Sequence, residues 1–253
     1  MKKIIIGVLI ALALLIVVLV LAVSFFLDGA VKRGVETAGP MLTKVQVKLD
    51  SASLSLLSGS GKLKGLFVGN PEGYKTSSAI EVGTASLSLK PSSVFSDKVI
   101  IHSIRLEAPQ VTYETDFKGN NLSKILANLD AATGGSSGQP AQPQPAKASK
   151  KLQVDDFLIT GGMVRASITA LNQPVTVPLP EIHLTDLGQG PDGITAAELA
   201  KVVVQAIEKN AAQAATSALA GLQKQGLQGL TGLTNATELD SISKGVGGLF
   251  KKK

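Results

Sequence analysis

Cysteine and tryptophan are both absent from the 253-residue chain, and there are only two histidines, His102 and His183. Without cysteine there is no disulfide framework, thiolate metal site or cysteine nucleophile. Two histidines leave little for a histidine-based metal centre or a His-dependent catalytic apparatus. Aromatics make up 4% of the chain, and outside residues 4–27 they are Phe67, Phe95, Phe117, Phe157, Phe250, Tyr74 and Tyr113. The net charge of +6 has no basic face interleaved with stacking rings, which argues against nucleic-acid binding. The basic residues cluster instead at Lys147, Lys150 and Lys151 and again at Lys251, Lys252 and Lys253. No motif for a cofactor or metal is present, and the composition points away from an enzyme.

What is abundant is concentrated. Residues 4–27 carry 22 apolar residues in 24 positions, interrupted only by Gly7 and Ser24. As a helix this segment is about 36 Å long, enough to cross a hydrocarbon core of roughly 30 Å with some tilt. Residues 1–27 are therefore expected to form a transmembrane anchor. Lys2 and Lys3 stay on the cytoplasmic side by the positive-inside rule, and everything from Asp28 onward lies across the membrane. A cleaved signal peptide is the competing reading. Its apolar stretch usually runs about 7–15 residues, although Ala22-Val23-Ser24 offers a small-residue site. Val31, Val35, Ala38 and Leu42 continue a helical stripe, which gives a stalk over 28–44 that Gly39-Pro40 should end or kink.

From Val45 the apolar period becomes two. Val45, Val47 and Leu49, then Leu54 and Leu56, Ile80 and Val82, and Leu87 and Leu89 alternate with polar residues, as in antiparallel strands with one apolar face. Three segments superimpose: LKGLFVGNP (63–71), IHSIRLEAP (101–109) and VDDFLITGG (154–162). Each reads apolar, two spacers, apolar, one spacer, apolar, then a turn. The step of three predicts a β-bulge at the spacers Lys64-Gly65, His102-Ser103 and Asp155-Asp156. A companion pair recurs at an offset of 95, Ile80/Val82 and Leu87/Leu89 matching Val175/Val177 and Ile182/Leu184. About nine strands follow, in a curved antiparallel sheet roughly 40 Å wide. Asn121 is the expected N-cap of a helix presenting Leu122, Ile125, Leu126 and Leu129. Residues 131–151, rich in Gly, Ser, Pro and Gln, form a disordered linker. The second half has too few strands for its own core, so it should extend the first sheet. The expected class is mainly β with flanking helices, with the β-domain over 45–190 and a Gly/Ala-rich helical tail over 191–253.

In the tail, Leu199, Val202, Val203, Ala206, Ile207, Ala211 and Ala214 make an apolar stripe capped near Thr195 and running to about Lys224. The glycines of QGLQGLTGLT (225–234) weaken helix formation beyond it. A last amphipathic piece, with Leu249, Phe250, Lys251, Lys252 and Lys253 at its end, is the candidate contact for an anionic membrane surface. The alternative is that it covers the sheet.

The segments LSLLSGSGKLKGLFVGNPEGY (54–74), VIIHSIRLEAPQVTYE (99–114), GNNLSKILANL (119–129), LQVDDFLITGGMVRASI (152–168) and VTVPLPEIHLTDLG (175–188), following an N-terminal apolar helix, resemble the AsmA family. The resemblance covers roughly residues 1–190. It rests on apolar spacing, Gly and Pro, and so concerns fold alone. It implies a bacterial inner-membrane protein with its N-terminus in the cytoplasm, its body in the periplasm, and an apolar β-groove. The implied role is envelope lipid transport or outer-membrane biogenesis. The candidate groove residues are Leu66, Val68, Val82, Leu87, Leu89, Ile104, Leu106, Val111, Phe157, Ile159, Val164, Ile182 and Leu184. The partners this suggests are the membrane, a phospholipid, and an envelope protein or a second copy paired edge to edge. The rival is a membrane-anchored scaffold with no lipid cargo. His102 and His183 read as solvated surface residues, and Asp155-Asp156 as a spacer without a catalytic role. Asn121-Leu-Ser123 and Asn235-Ala-Thr237 match a glycosylation sequon of no relevance in a bacterium.

Overall fold

In the computed structural model, residues 26–115, 119–134, 150–168 and 174–230 are described. The chain forms helix α1 (residues 26–43), β1 (Val47–Ser55), β2 (Ser60–Gly69), β3 (Ser78–Leu89), β4 (Lys98–Glu107), β5 (Gln110–Thr115), α2 (Asn121–Ala132), β6 (Lys151–Thr160), β7 (Met163–Ile168), β8 (Val175–Pro178), β9 (Ile182–Leu187) and α3 (Ala196–Leu230). A 3₁₀ turn over Pro91–Phe95 joins β3 to β4. The nine strands make one curled sheet.

The sheet is mixed, which corrects the antiparallel expectation. β4 pairs with β6 and β5 with β7 in parallel. The reason is the connection: parallel neighbours need a crossover of a dozen or more residues, and α2 with the segment after it supplies one. The parallel register places Ile101 beside Val154, Ile104 beside Phe157 and Leu106 beside Ile159. The second and third sequence copies thus lie side by side, position for position. The second half does extend the first sheet, as its strand count required.

Nine strands occupy only six widths. Thr84 pairs with Glu107 and Glu81 with Gln110, so β4 and β5 are one long strand against β3. β6 and β7 follow them in a single parallel register, and β8 and β9 lie along β7 and β6 in the same way. Pro109 and Gly161-Gly162, expected to be turns, are instead kinks within continuous strands. The sheet is therefore about 25 Å across between its outer strands, not 40 Å.

The kinks align. Asp50, Gly65, Gly83, Ala108, Gly161 and Pro180 fall on one line across all six strands, in step with the pairings on either side. Gly65, Ala108 and Gly161 have φ of 62°, 49° and 65°, the left-handed region that costs an L side chain energy. Along this crease each strand steps by three between inward residues: Leu49 to Ala52, Leu63 to Leu66, Val82 to Ala85. Because every strand takes the step together, no residue is left unopposed. The expected bulge at Lys64-Gly65 is absent, since the register there is unbroken on both sides. At His102-Ser103 the shift between Ser88 and Leu89 shows a bulge against β3. The first copy thus belongs to the crease and the other two to this second level, but the bulge expected at Asp155-Asp156 is absent, since β6 keeps one register with β4 and one with β9. The companion superposition also slips by two residues, since the rows equate Ile80 with Val177 and Leu87 with Leu184.

The outer strand β1 and the β8 part of the opposite edge are guarded. α1 runs along β1, where Asp28 Oδ1 accepts from Leu54 N at 2.7 Å and Glu36 Oε1 from Leu49 N at 3.2 Å. Lys32 Nζ donates to Asp50 O at 2.9 Å. Gly39-Pro40 does not end this helix. A Cβ at Gly39 would stand 2.7 Å from Val47 Cβ, so the glycine serves close packing on β1. At the opposite edge, Leu179 N donates inward to Gly162 O at 2.8 Å. Val175 and Val177 share that direction, so positions 174, 176, 178 and 180 face away, and three of them are prolines. Proline has no N–H to offer an incoming strand.

α2 is capped by Asn120 rather than Asn121. The Asn120 side chain accepts from Ser123 N, and Ser123 Oγ accepts from Asn120 N. Asn121 is the first helical residue and wholly buried. Its side chain accepts from Glu114 N at 2.9 Å and donates to Asn70 Oδ1 at 2.7 Å and Thr112 O at 2.8 Å, which closes it to glycosylation. The buried Glu114 carboxylate accepts from Lys75 N, Thr76 N and Thr76 Oγ1, tying the loop after β2 to the same point. α3 starts at a capping box, with Glu198 N donating to Thr195 Oγ1 at 3.1 Å and Thr195 N to Glu198 Oε2 at 2.7 Å. The Thr195 N–H, then the Thr195 hydroxyl donating to Glu198 Oε2 at 2.8 Å, hold the Glu198 carboxyl below its ordinary range. α3 continues to Leu230 through the glycines expected to weaken it.

Candidate functional site

Pairing turns the apolar positions into rows. Val47, Val68, Ile80, Val111, Val164 and Val177 form one row above the crease. Below it come Ala52, Leu63, Ala85, Leu106, Ile159 and Ile182, then Leu54, Gly61, Leu87, Ile104, Phe157 and Leu184. A fourth row, beyond the bulge, joins Leu89, Ile101, Val154 and Leu187.

The two later helices cover part of this face. α2 and α3 run antiparallel, linked by Lys201–Asp130 at 2.6 Å and by Asn120 Nδ2 to Glu208 Oε1 at 3.0 Å. α2 lies on β5, and α3 on β5, β7, β8 and β9. Of the candidate groove residues, Val82, Leu106, Val111, Phe157, Ile159, Val164 and Ile182 are buried with Leu122, Ile125, Leu129, Ile207 and Ala211 in one closed core. Leu66, Val68, Ile104 and Leu184 are partly buried and pack against it. Leu87 and Leu89 are partly buried and, among the described residues, stand apart from that core with Leu54 and Leu56. Leu54 and Leu87 meet over Gly61, where a Cβ would lie 2.5 Å from one and 2.7 Å from the other. The open part of the face is therefore the quarter over β1, β2 and the ends of β3 and β4 below the crease.

Two depressions border the sheet. One of about 370 Å³ borders the crease at Lys48, Asp50, Gly65, Phe67, Glu81 and Gly83. Another of about 630 Å³ is lined chiefly by Ser51, Ser53, Ser55, Ser60, Lys62, Lys64 and Ser86. Their linings mix the polar rows with inward residues, Leu66 and Val82 in the first and Ala52, Gly61 and Leu87 in the second.

On the polar side, two groups missed in the sequence come together. His102 Nδ1 lies 3.0 Å from Asp155 Oδ2, and His183 Nε2 2.6 Å from Asp156 Oδ1, with Arg105 Nη2 3.6 Å from Asp156 Oδ2. The only sequence signal was the acidic spacer itself, because the partners arrive on β4 and β9. The Gln153 amide, ahead of the His102 ring, holds the Asp155 carboxyl below its ordinary range. All these side chains are substantially exposed, and the described residues hold no group fit to bind a metal ion. The pairs tie β4, β6 and β9 together on the polar face.

The transmembrane anchor expected at residues 1–27 falls outside the described residues except for Phe26 and Leu27. No described helix is long and apolar enough to cross a membrane. Leu249, Phe250, Lys251, Lys252 and Lys253 also lie outside them. No protein-family model, curated protein or solved structure matches the chain.

Proposed function

We propose that this is a non-enzymatic, AsmA-like protein anchored in a bacterial inner membrane with its body in the periplasm. Its half-open apolar face takes an acyl chain, and the protein contributes to envelope lipid handling or outer-membrane assembly. The observation that carries the reading is the continuation of the apolar rows past the cover of α2 and α3, onto Leu54, Leu87 and Leu89. Apolar surface left open on a folded domain marks a site for lipid or partner. The apolar run over 4–27 and the sequence resemblance support the membrane setting.

The rival, an envelope scaffold without cargo, is favoured by the closure of seven of the thirteen candidate positions into ordinary core. The two are separated by purifying residues 28–253 without detergent, extracting lipid and weighing it by mass spectrometry. Stoichiometric phospholipid that disappears in Leu87→Asp/Leu89→Asp supports the groove. Leu106 and Ile159 are unsuitable for this test, because a charge at either buried site unfolds the domain. A folded, lipid-free protein refutes acyl-chain binding and leaves the scaffold.

A further inference from the structure

Four large apolar side chains among the described residues are highly exposed: Phe26 at 76%, Met41 at 54%, Leu57 at 84% and Phe95 at 75%. Three of them share one end of the molecule. Asp28 bonds to Leu54 and Glu36 to Leu49, so α1 starts level with the end of β1. Phe26 thus stands beside the β1–β2 turn that carries Leu57. Leu89 N donates to Gly59 O at 2.7 Å, which joins that turn to the Pro91–Phe95 connection carrying Phe95. Met41 sits at the opposite end, one turn before α1 gives way to β1.

This end is also where the open apolar quarter has its mouth, since Leu54, Leu87 and Leu89 are the last inward residues of their strands and Leu56 lies in the turn just beyond β1. It is where the chain from the apolar run of residues 4–25 enters. Lys90, Lys98, Lys150 and Lys151 border it, with Asp97 and Asp192 among them; Lys98 Nζ donates to Gly190 O and Lys150 Nζ to Val94 O. The geometry points to this end as a docking surface for the bilayer. Leu57 and Phe95 enter the headgroup–acyl boundary of the membrane that receives the N-terminal segment, and the mouth of the groove opens onto lipid. Exposed apolar tips ringed by lysines are the chemistry of interfacial binding. The inference deepens the proposed function and rests on its membrane anchor, but it does not require that a lipid be held in the groove.

The absence of cysteine makes the test direct. Leu57→Cys, Phe95→Cys and Met41→Cys are each made in the full chain, labelled with an environment-sensitive dye and reconstituted into phosphatidylethanolamine–phosphatidylglycerol vesicles bearing nitroxide lipids. Blue-shifted, strongly quenched emission at positions 57 and 95, with unshifted, unquenched emission at 41, is the expected result. Equal behaviour at all three positions, or no quenching at 57 and 95, overturns the docking surface. In Leu87→Asp/Leu89→Asp the labels at 57 and 95 should stay quenched while extractable lipid is lost. Docking and cargo binding can therefore fail separately.

Discussion

Replacing Gly65 by alanine tests whether the crease is set by its residues. Gly65 has φ of 62°, a conformation that costs an L side chain about 1–2 kcal/mol. The new Cβ would also stand 2.0 Å from Asp50 Oδ2 and 2.9 Å from Asp50 Cβ. The aspartate carboxyl must leave its rotamer, at a cost of about 1 kcal/mol, and the Cβ contact must be met by a small backbone shift. The total is about 2–3 kcal/mol, or a fall in Tm of roughly 5–10 °C for a folded unit of this size. Gly83 is the internal control. It occupies the next strand on the same line, has nothing within 4 Å of its would-be Cβ and does not adopt a positive φ. Gly83→Ala should therefore be neutral or stabilise by up to about 1 kcal/mol through the unfolded chain. Asp50→Ala/Gly65→Ala should relieve the contacts with the carboxyl group, keep the 2.9 Å contact with Cβ and keep the backbone cost, and so should recover only part of the loss. Urea and thermal melts followed by circular dichroism measure all three variants. If Gly65→Ala and Gly83→Ala melt together, the left-handed residue does not shape the crease and the argument fails.

Asn121→Ala strands Glu114 N–H, Thr112 C=O and Asn70 Oδ1, and unsatisfied buried groups cost about 1–3 kcal/mol each before relaxation. A loss of about 2–4 kcal/mol is expected, with faster amide exchange first at the start of α2. Pro178→Thr restores an outward N–H on the edge strand, so sedimentation velocity should detect dimers at concentrations where the parent stays monomeric. In a carbon-detected NMR titration, Asp155 should titrate below an ordinary carboxylate, and Gln153→Ala should move its midpoint up. The folded pKa lies below the unfolded one, so the stabilising contribution is present above about pH 4. It is lost as pH falls through the folded value, and Gln153→Ala should therefore weaken the protein at neutral pH and not in strong acid.

Much of the fold was legible because alternation of two is a direct readout of one apolar face, and the helices of the second half showed their period equally well. The parallel pairing was not, since Ile101 and Val154 have the same environment whichever way their strands run. Only the crossover through α2 decides it. The step of three was visible in three segments and read as isolated bulges. A bulge is a property of a pair, and whether a neighbour takes the same step depends on register. Once the register is known, the steps at Leu49–Ala52, Val82–Ala85 and Leu179–Ile182 become one line. The groove was half legible for the same reason. Spacing identifies inward residues but does not say which of them a helix will cover, so Leu106 and Leu87 looked alike. In the fold they differ in kind. Leu106 lies under the core shared with α2 and α3, where a change is a change in stability. Leu87 lies beyond it, where a polar substitution should leave the fold standing. That split gives the proposed function its test: variants at Leu54, Leu56, Leu87 and Leu89 should alter what the face binds, and variants at Leu106, Ile159 and Val164 should alter whether there is a face at all.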